Sequence, residues 1–141
     1  MDRTAIEQIL PHRHPFLLLD EIEDLVPGVS AVGIRTIPAD EFWVPGHYPT
    51  QPIFPGVLIA EIMAQVGAVV ALTAHADHAG KPVYLAGYDR LRFRRPVRPG
   101  DRLRVEVKLT ETRGRIFFFE GKATVDGQKA ADGAFLATSA E

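Results

Sequence analysis

One histidine in this chain has surroundings suited to proton transfer. His47 lies in Gly46-His47-Tyr48-Pro49, where glycine and proline are expected to hold the backbone in a defined path. Fourteen residues on stands Glu61, an acid in an otherwise apolar run, and Gln65 follows it at i+4. Burial is expected to raise the pKa of the Glu61 carboxyl and lower that of the His47 imidazole. Both move toward neutrality, where one group can take a proton and the other give one. Gln65, one helical turn beyond Glu61, is placed to hydrogen-bond the carboxyl and set its rotamer. Between the two lies Pro55-Gly56, and the free backbone N–H groups of a helix start around Gly56 offer a site for a developing oxyanion. The competing account is a capped loop and a buried polar pair with no catalytic duty.

Other chemistries fare worse. Serine occurs only as Ser30 and Ser139, neither in a G-x-S-x-G setting, which argues against a serine-triad hydrolase. Cysteine is absent, so thiolate nucleophiles, thiolate metal sites and disulfides are excluded. No G-x-G-x-x-G or Walker-type pattern points to a nucleotide. His75 and His78, with Asp77 on a different helix face, make a poor metal set and read as structural or solvated. His12 and His14 read as surface or packing residues, since the sequence shows no partner for either.

The elements that must position His47 and Glu61 can be read from periodicity. Thr4 to Leu10 makes two helical turns before Pro11, and Phe16 to Val26 reads as a strand. Pro27-Gly28 is a turn, and Val29 to Ile37 a second strand. Pro38, Pro45, Pro49, Pro52 and Pro55 then punctuate a long irregular segment of the kind that carries function. A helix, apolar all round, is expected from Pro55-Gly56 to His75, the proline suiting a helix start. At about 1.5 Å per residue it would be long enough to span a membrane, but Glu61 and Gln65 on one face favour a core helix. Beyond Lys81-Pro82 the pattern has period two, and four strands fit. In Leu91 to Arg95, Leu91 and Phe93 alternate with Arg90, Arg92 and Arg94, and Leu103, Val105, Val107 and Leu109 alternate with Arg104, Glu106 and Lys108. Arg113-Gly114 and Asp126-Gly127 mark hairpin turns, the second more strongly. An all-round apolar helix needs cover on most sides, and a curled antiparallel sheet of five or six strands is what remains to supply it.

The chain has 141 residues, the size of one domain, so residues 1–141 are expected to share a single core. Its formal charge is −2 with 46% hydrophobic residues, which suggests neither disorder nor bulk nucleic-acid binding. The charge is uneven. Residues 1–87 sum to −6, residues 88–104 carry seven arginines and sum to +5, and the rest sum to −1. The basic strip is either a solvated strand face or a docking patch for an acidic partner. The first residues lack a basic start and apolar run, so a cytoplasmic location is the default, and the missing cysteines fit a reducing compartment.

Several blocks resemble one family. Leu10-Pro11-His12-Arg13-His14-Pro15-Phe16-Leu17-Leu18-Leu19-Asp20 is similar to the L-P-H-R-x-P-F-L-L-x-D opening of the FabZ-type (3R)-hydroxyacyl-acyl-carrier-protein dehydratases. Gly46-His47-Tyr48-Pro49, then Pro52-Ile53-Phe54-Pro55-Gly56-Val57-Leu58-Ile59 and Glu61, resembles that family's G-H-F-P-x-x-P-x-x-P-G-V-L-x-x-E site. Ala86-Gly87, Phe93-Arg94-Arg95-Pro96-Val97 and Pro99-Gly100-Asp101 resemble a third block. The chain departs from the pattern at Tyr48, where phenylalanine is usual, at Thr50-Gln51, and over Asp40-Glu41-Phe42-Trp43-Val44.

The resemblance implies an α+β hot-dog fold, one long central helix wrapped by a curled antiparallel sheet. It implies a homodimer, often a trimer of dimers, in which His47 of one subunit meets Glu61 of the other. The implied reaction removes water from a 3-hydroxyacyl chain on acyl carrier protein without cofactor or metal. His47 would act as general base, Glu61 as general acid, and the Gly56 N–H as oxyanion donor, with Gln65 orienting. Glutamate as the acid resembles the branch that dehydrates without isomerising the double bond. Tyr48, Phe54, Ile59 and Met63 are candidates for an acyl tunnel, and Arg92, Arg94, Arg95 and Arg98 for docking the acidic carrier. A hot-dog thioesterase and a non-catalytic acyl-thioester binder are the alternatives, and the His47 and Glu61 block argues against both.

Overall fold

The computed structural model describes residues 1–75 and 78–139. Among these residues two α-helices and six strands occur in the order α1 (Arg3–Ile9), β1 (Glu21–Val26), β2 (Ser30–Thr36), α2 (Gly56–Leu72), β3 (Val83–Phe93), β4 (Arg102–Arg113), β5 (Ile116–Val125) and β6 (Gln128–Ser139). All strand pairs are antiparallel, in the order β1-β2-β4-β5-β6-β3. The sheet wraps α2, most of whose residues are buried, as an all-round apolar helix requires, and the architecture is the α+β hot-dog fold that the resemblance implies. No helix among the described residues is long and apolar enough to cross a membrane.

Packing decides where α2 and the sheet touch. Gly33 on β2 faces the helix so closely that an added Cβ would lie 2.4 Å from Val66 Cγ2 and 2.7 Å from Leu19 Cδ2. On the other side, Met63 abuts Gly121 of β5, and Phe135 of β6 lies over Gly67. Phe119 and Phe135 stack at 4.9 Å between centroids. This core, which also holds Leu103, Val105, Val107 and Val125, follows the period-two apolar positions of β4 and β5.

Several expectations are corrected. The strand read from Phe16 begins only at Glu21. Leu17, Leu18 and Leu19 are buried, but their backbone runs outside the ladder and is tied to Gln65 instead. The long helix stops at Leu72 rather than His75, with the Thr73 hydroxyl turned back onto the Val69 carbonyl at 2.7 Å. β3 is longer than expected and ends at Phe93, leaving Arg94 and Arg95 beyond it. A bulge between Asp89 and Arg92, with Arg90 at φ 55°, interrupts the alternation of the arginines. The β4–β5 turn falls on Gly114-Arg115 rather than Arg113-Gly114. Asp126-Gly127 is as expected, with φ 50° and 77°, the positive values a two-residue hairpin turn needs.

Candidate active site

The segment between β2 and α2 carries His47 and is held from both sides. Glu41 ion-pairs with the buried Arg35 of β2 and accepts from the Trp43 indole N–H at 2.9 Å. Trp43 is buried and meets Phe54 edge-on at 5.5 Å. A turn of 3-10 helix, Val44–Gly46, delivers the chain to His47. Gly46 is not the tight point that the sequence suggests, since its φ is not positive and an added Cβ would meet nothing within 4 Å. The constrained residue is Tyr48, with φ 51°, its ring 4.7 Å from that of His47.

His47 Nδ1 lies 2.9 Å from the Ile53 carbonyl oxygen. A carbonyl can only accept, so Nδ1 carries the hydrogen and Nε2 of the neutral ring keeps its lone pair as a base. Beside Ile53 begins α2, and no side chain caps it, so the N–H of Gly56 has no intrahelical acceptor. The Phe93 ring closes over Gly56, where a Cβ would stand 3.1 Å from it. Ile53, Phe54, Gly56, Ile59, Phe93, Arg94 and Arg95 are among the residues lining a cavity of about 320 Å³ here. A larger cavity of about 540 Å³ opens on β2, β4 and β5, lined in part by the charged groups of Arg104, Glu106 and Lys122. Two of these, Arg104 and Lys122, pair with Glu106, and none of the expected site residues lies there.

Glu61 stands one turn into α2, at the end of a polar relay. Gln65, itself buried, accepts from the Leu18 N–H at 3.0 Å and donates to the Phe16 carbonyl at 2.8 Å and to Glu61 Oε1 at 3.3 Å. His12 Nε2 is 3.7 Å from the same oxygen. His12 thus has a partner in Glu61 although the sequence offered none for it. The two residues lie far apart in the chain, and only the fold brings them together. Burial, the main cause, lowers the His12 pKa despite the opposing charge of Glu61. Tyr88 of β3 also senses Glu61. Its phenol is pushed up to about 12, first by burial and then by that charge.

Within one chain His47 and Glu61 share no hydrogen bond or ion pair among the described residues. Of the tunnel candidates, Phe54 and Ile59 line the cavity, Met63 is packed in the core against Gly121, and Tyr48 is exposed. Of the arginines, Arg94 forms a bidentate pair with Asp132 at 2.9 and 3.2 Å, and Arg95 bonds Gln128. Arg92 and Arg98 make no side-chain hydrogen bond or ion pair among the described residues. Arg90, Arg92 and Arg94 line a groove of about 410 Å³ on the sheet surface. His75 and His78 lie ring to ring at 5.0 Å, while Asp77 is outside the described residues. No cluster of three metal-ligating side chains occurs among the described residues.

The chain is 50% identical over 136 residues to the 3-hydroxyacyl-[acyl-carrier-protein] dehydratase FabZ of Thermomicrobium roseum, covering 96% of this chain and 91% of that one. It is 46% identical over 132 residues to the protein of the same name from Bacillus cereus, covering 94% and 91%. Among solved structures, a chain of the dehydratase heterocomplex ApeI:P from Xenorhabdus doucetiae superposes with a TM-score of 0.83 at 20% identity, covering 96% of this chain and 91% of that one, a likeness of fold. The FabA-like domain model matches residues 10–134, a span that holds the His12, His47, Gly56, Glu61 and Gln65 just described, and the chain accordingly belongs to the FabA-like family.

Proposed function

We propose that this protein removes water from (3R)-3-hydroxyacyl thioesters on acyl carrier protein, giving trans-2-enoyl thioesters in fatty acid synthesis, as a hydro-lyase. The observation that carries the reading is the anchored His47, its Nε2 free as base, beside an uncapped helix start at Gly56 and an apolar cavity. His47 Nε2 takes a proton from C2, and the electron pair moves into the thioester carbonyl, whose oxygen the Gly56 N–H stabilises. The pair then returns to form the C2–C3 double bond as the C3–O bond breaks, with Glu61 protonating the departing hydroxyl so that it leaves as water. His47 ends protonated and Glu61 ionised, and return of one proton between them resets the site.

His47 and Glu61 act from different subunits in this reading. β3 is a sheet edge with one strand neighbour, β6, and it exposes Tyr84, Leu85 and Phe93 and part of the half-buried Tyr88. A long apolar edge strand needs covering, and a second copy pairing along β3 supplies the cover and the partner's His47. A trimer of dimers is the further assembly this reading anticipates. The acidic carrier docks on Arg92, Arg94, Arg95 and Arg98, of which Arg94 and Arg95 line the cavity beside Gly56. A cytoplasmic location accompanies this reading.

The test is to mix the protein with a 3-hydroxyacyl or a crotonyl thioester, following enoyl absorbance and free thiol together. A reversible absorbance change without thiol release is expected. Thiol release would mark a thioesterase, and no change a non-catalytic binder.

A further inference from the structure

Among the described residues His12 is the titratable side chain that pairs with Glu61, and the mechanism gives it no task. Its Nε2 points at Glu61 Oε1 from 3.7 Å, and its Nδ1 is buried without a hydrogen-bond partner among the described residues. A buried ring N–H with no acceptor costs the full desolvation of a donor, so the neutral ring carries its hydrogen on Nε2, facing the carboxyl. The contact is longer than a hydrogen bond, as contacts in catalytic sites often are before substrate closes them. Gln65 addresses the same oxygen, and its amide orientation is set by Leu18 and Phe16. Two N–H groups thus converge on Oε1, and no described residue donates to Oε2.

We propose that His12, as a neutral imidazole protonated on Nε2, is a positioning residue that with Gln65 holds Oε1 of Glu61 as the accepting oxygen, so that the acid's proton sits on Oε2 and faces the substrate. The inference rests on Glu61 being the general acid. A carboxylic acid has one hydroxyl oxygen, and filling the other with donors selects which one it is. The same donors lock the rotamer, so the proton is delivered along one direction. His12 must stay uncharged for this, because an imidazolium would draw the carboxyl into an ion pair and leave it no proton to give. Its surroundings favour the neutral form, since burial and the adjacent Arg13 both oppose protonation and only Glu61 favours it. The other titratable group sensing the carboxyl, Tyr88, is a neutral phenol at working pH.

The test uses the whole 141-residue chain with ¹⁵N-labelled histidine, read by NMR at the pH of maximal activity. His12 is expected as the Nε2–H tautomer. An imidazolium or an Nδ1–H tautomer would overturn the proposal. Kinetics supply the second arm. His12→Leu is expected to lower kcat about 10- to 100-fold with KM changed less than about threefold, and His12→Gln, which keeps an N–H donor, to recover most of that loss. Equal losses in the two variants would contradict the assignment. If a variant does not fold, the tautomer measurement decides alone. Glu61→Gln is assayed separately. Wild-type turnover in that variant would remove the general acid itself, whatever the tautomer of His12.

Discussion

At His47 a single contact orients the ring: the Ile53 carbonyl occupies Nδ1 and leaves open the Nε2 lone pair that the proposed mechanism uses as base. The sequence pointed to His47 because glycine, tyrosine and proline surround it, yet its orienting partner is a backbone oxygen, which no residue type encodes. His12 escaped for a related reason. Its contact with Glu61 crosses from the segment after α1 to α2, and only the fold brings the two together. Tyr88 supports a prediction at this scale. Its phenol is raised from 10 to about 12, so the folded state holds the proton more tightly than the unfolded chain. The associated stability is complete below pH 10 and is lost as pH rises through 12. Tyr88→Phe is therefore expected to flatten the fall in denaturation midpoint across that window, read by urea titrations with circular dichroism. An unchanged slope would mean that the hydroxyl is not the titrating group.

The helix and strands show how far pattern carries and where it stops. α2 and the four strands β3 to β6 follow from an all-round apolar run and a period of two, but their order does not: a simple meander would pair β3 with β4, whereas β3 crosses over to pair with β6. The misread stretch is Phe16 to Leu19. Three consecutive leucines look like a buried strand, but the Gln65 side-chain amide bonds Phe16 and Leu18 as a neighbouring strand would, a substitution with no local signature. The β3 bulge was hidden likewise, because it depends on Gly133 of β6, where a Cβ would lie 2.6 Å from Leu91 Cα. Close packing of α2 on β2 at Gly33 gives the prediction here. Gly33→Ala must push Val66 and Leu19 aside, and overpacking of this kind costs about 1 to 3 kcal/mol. Chemical denaturation should show that loss, whereas Gly46→Ala, with open space around it, should lose far less in the same measurement.

For the whole molecule, the net charge of −2 conceals a basic strip that the fold divides by role. Arg94 is committed to Asp132 and Arg95 to Gln128, while the side chains of Arg92 and Arg98 are unpaired among the described residues. Arg92→Glu with Arg98→Glu should therefore weaken use of carrier-borne substrate about tenfold or more, and of a short carrier-free thioester much less. Equal losses on the two substrates would make the arginines structural. The dimer proposed above rests on the exposed β3 edge. Sedimentation is expected to report a dimer or a multiple of one, and a chain that is both monomeric and fully active would refute the shared site. The most direct test of the central claim, that His47 performs reversible dehydration, is the enoyl absorbance and free-thiol assay run on wild type and His47→Ala side by side. The predicted result is reversible absorbance change without thiol in wild type, and a loss of about a thousandfold or more in a variant that melts like wild type. Comparable turnover by His47→Ala, or thiol release by wild type, would contradict it.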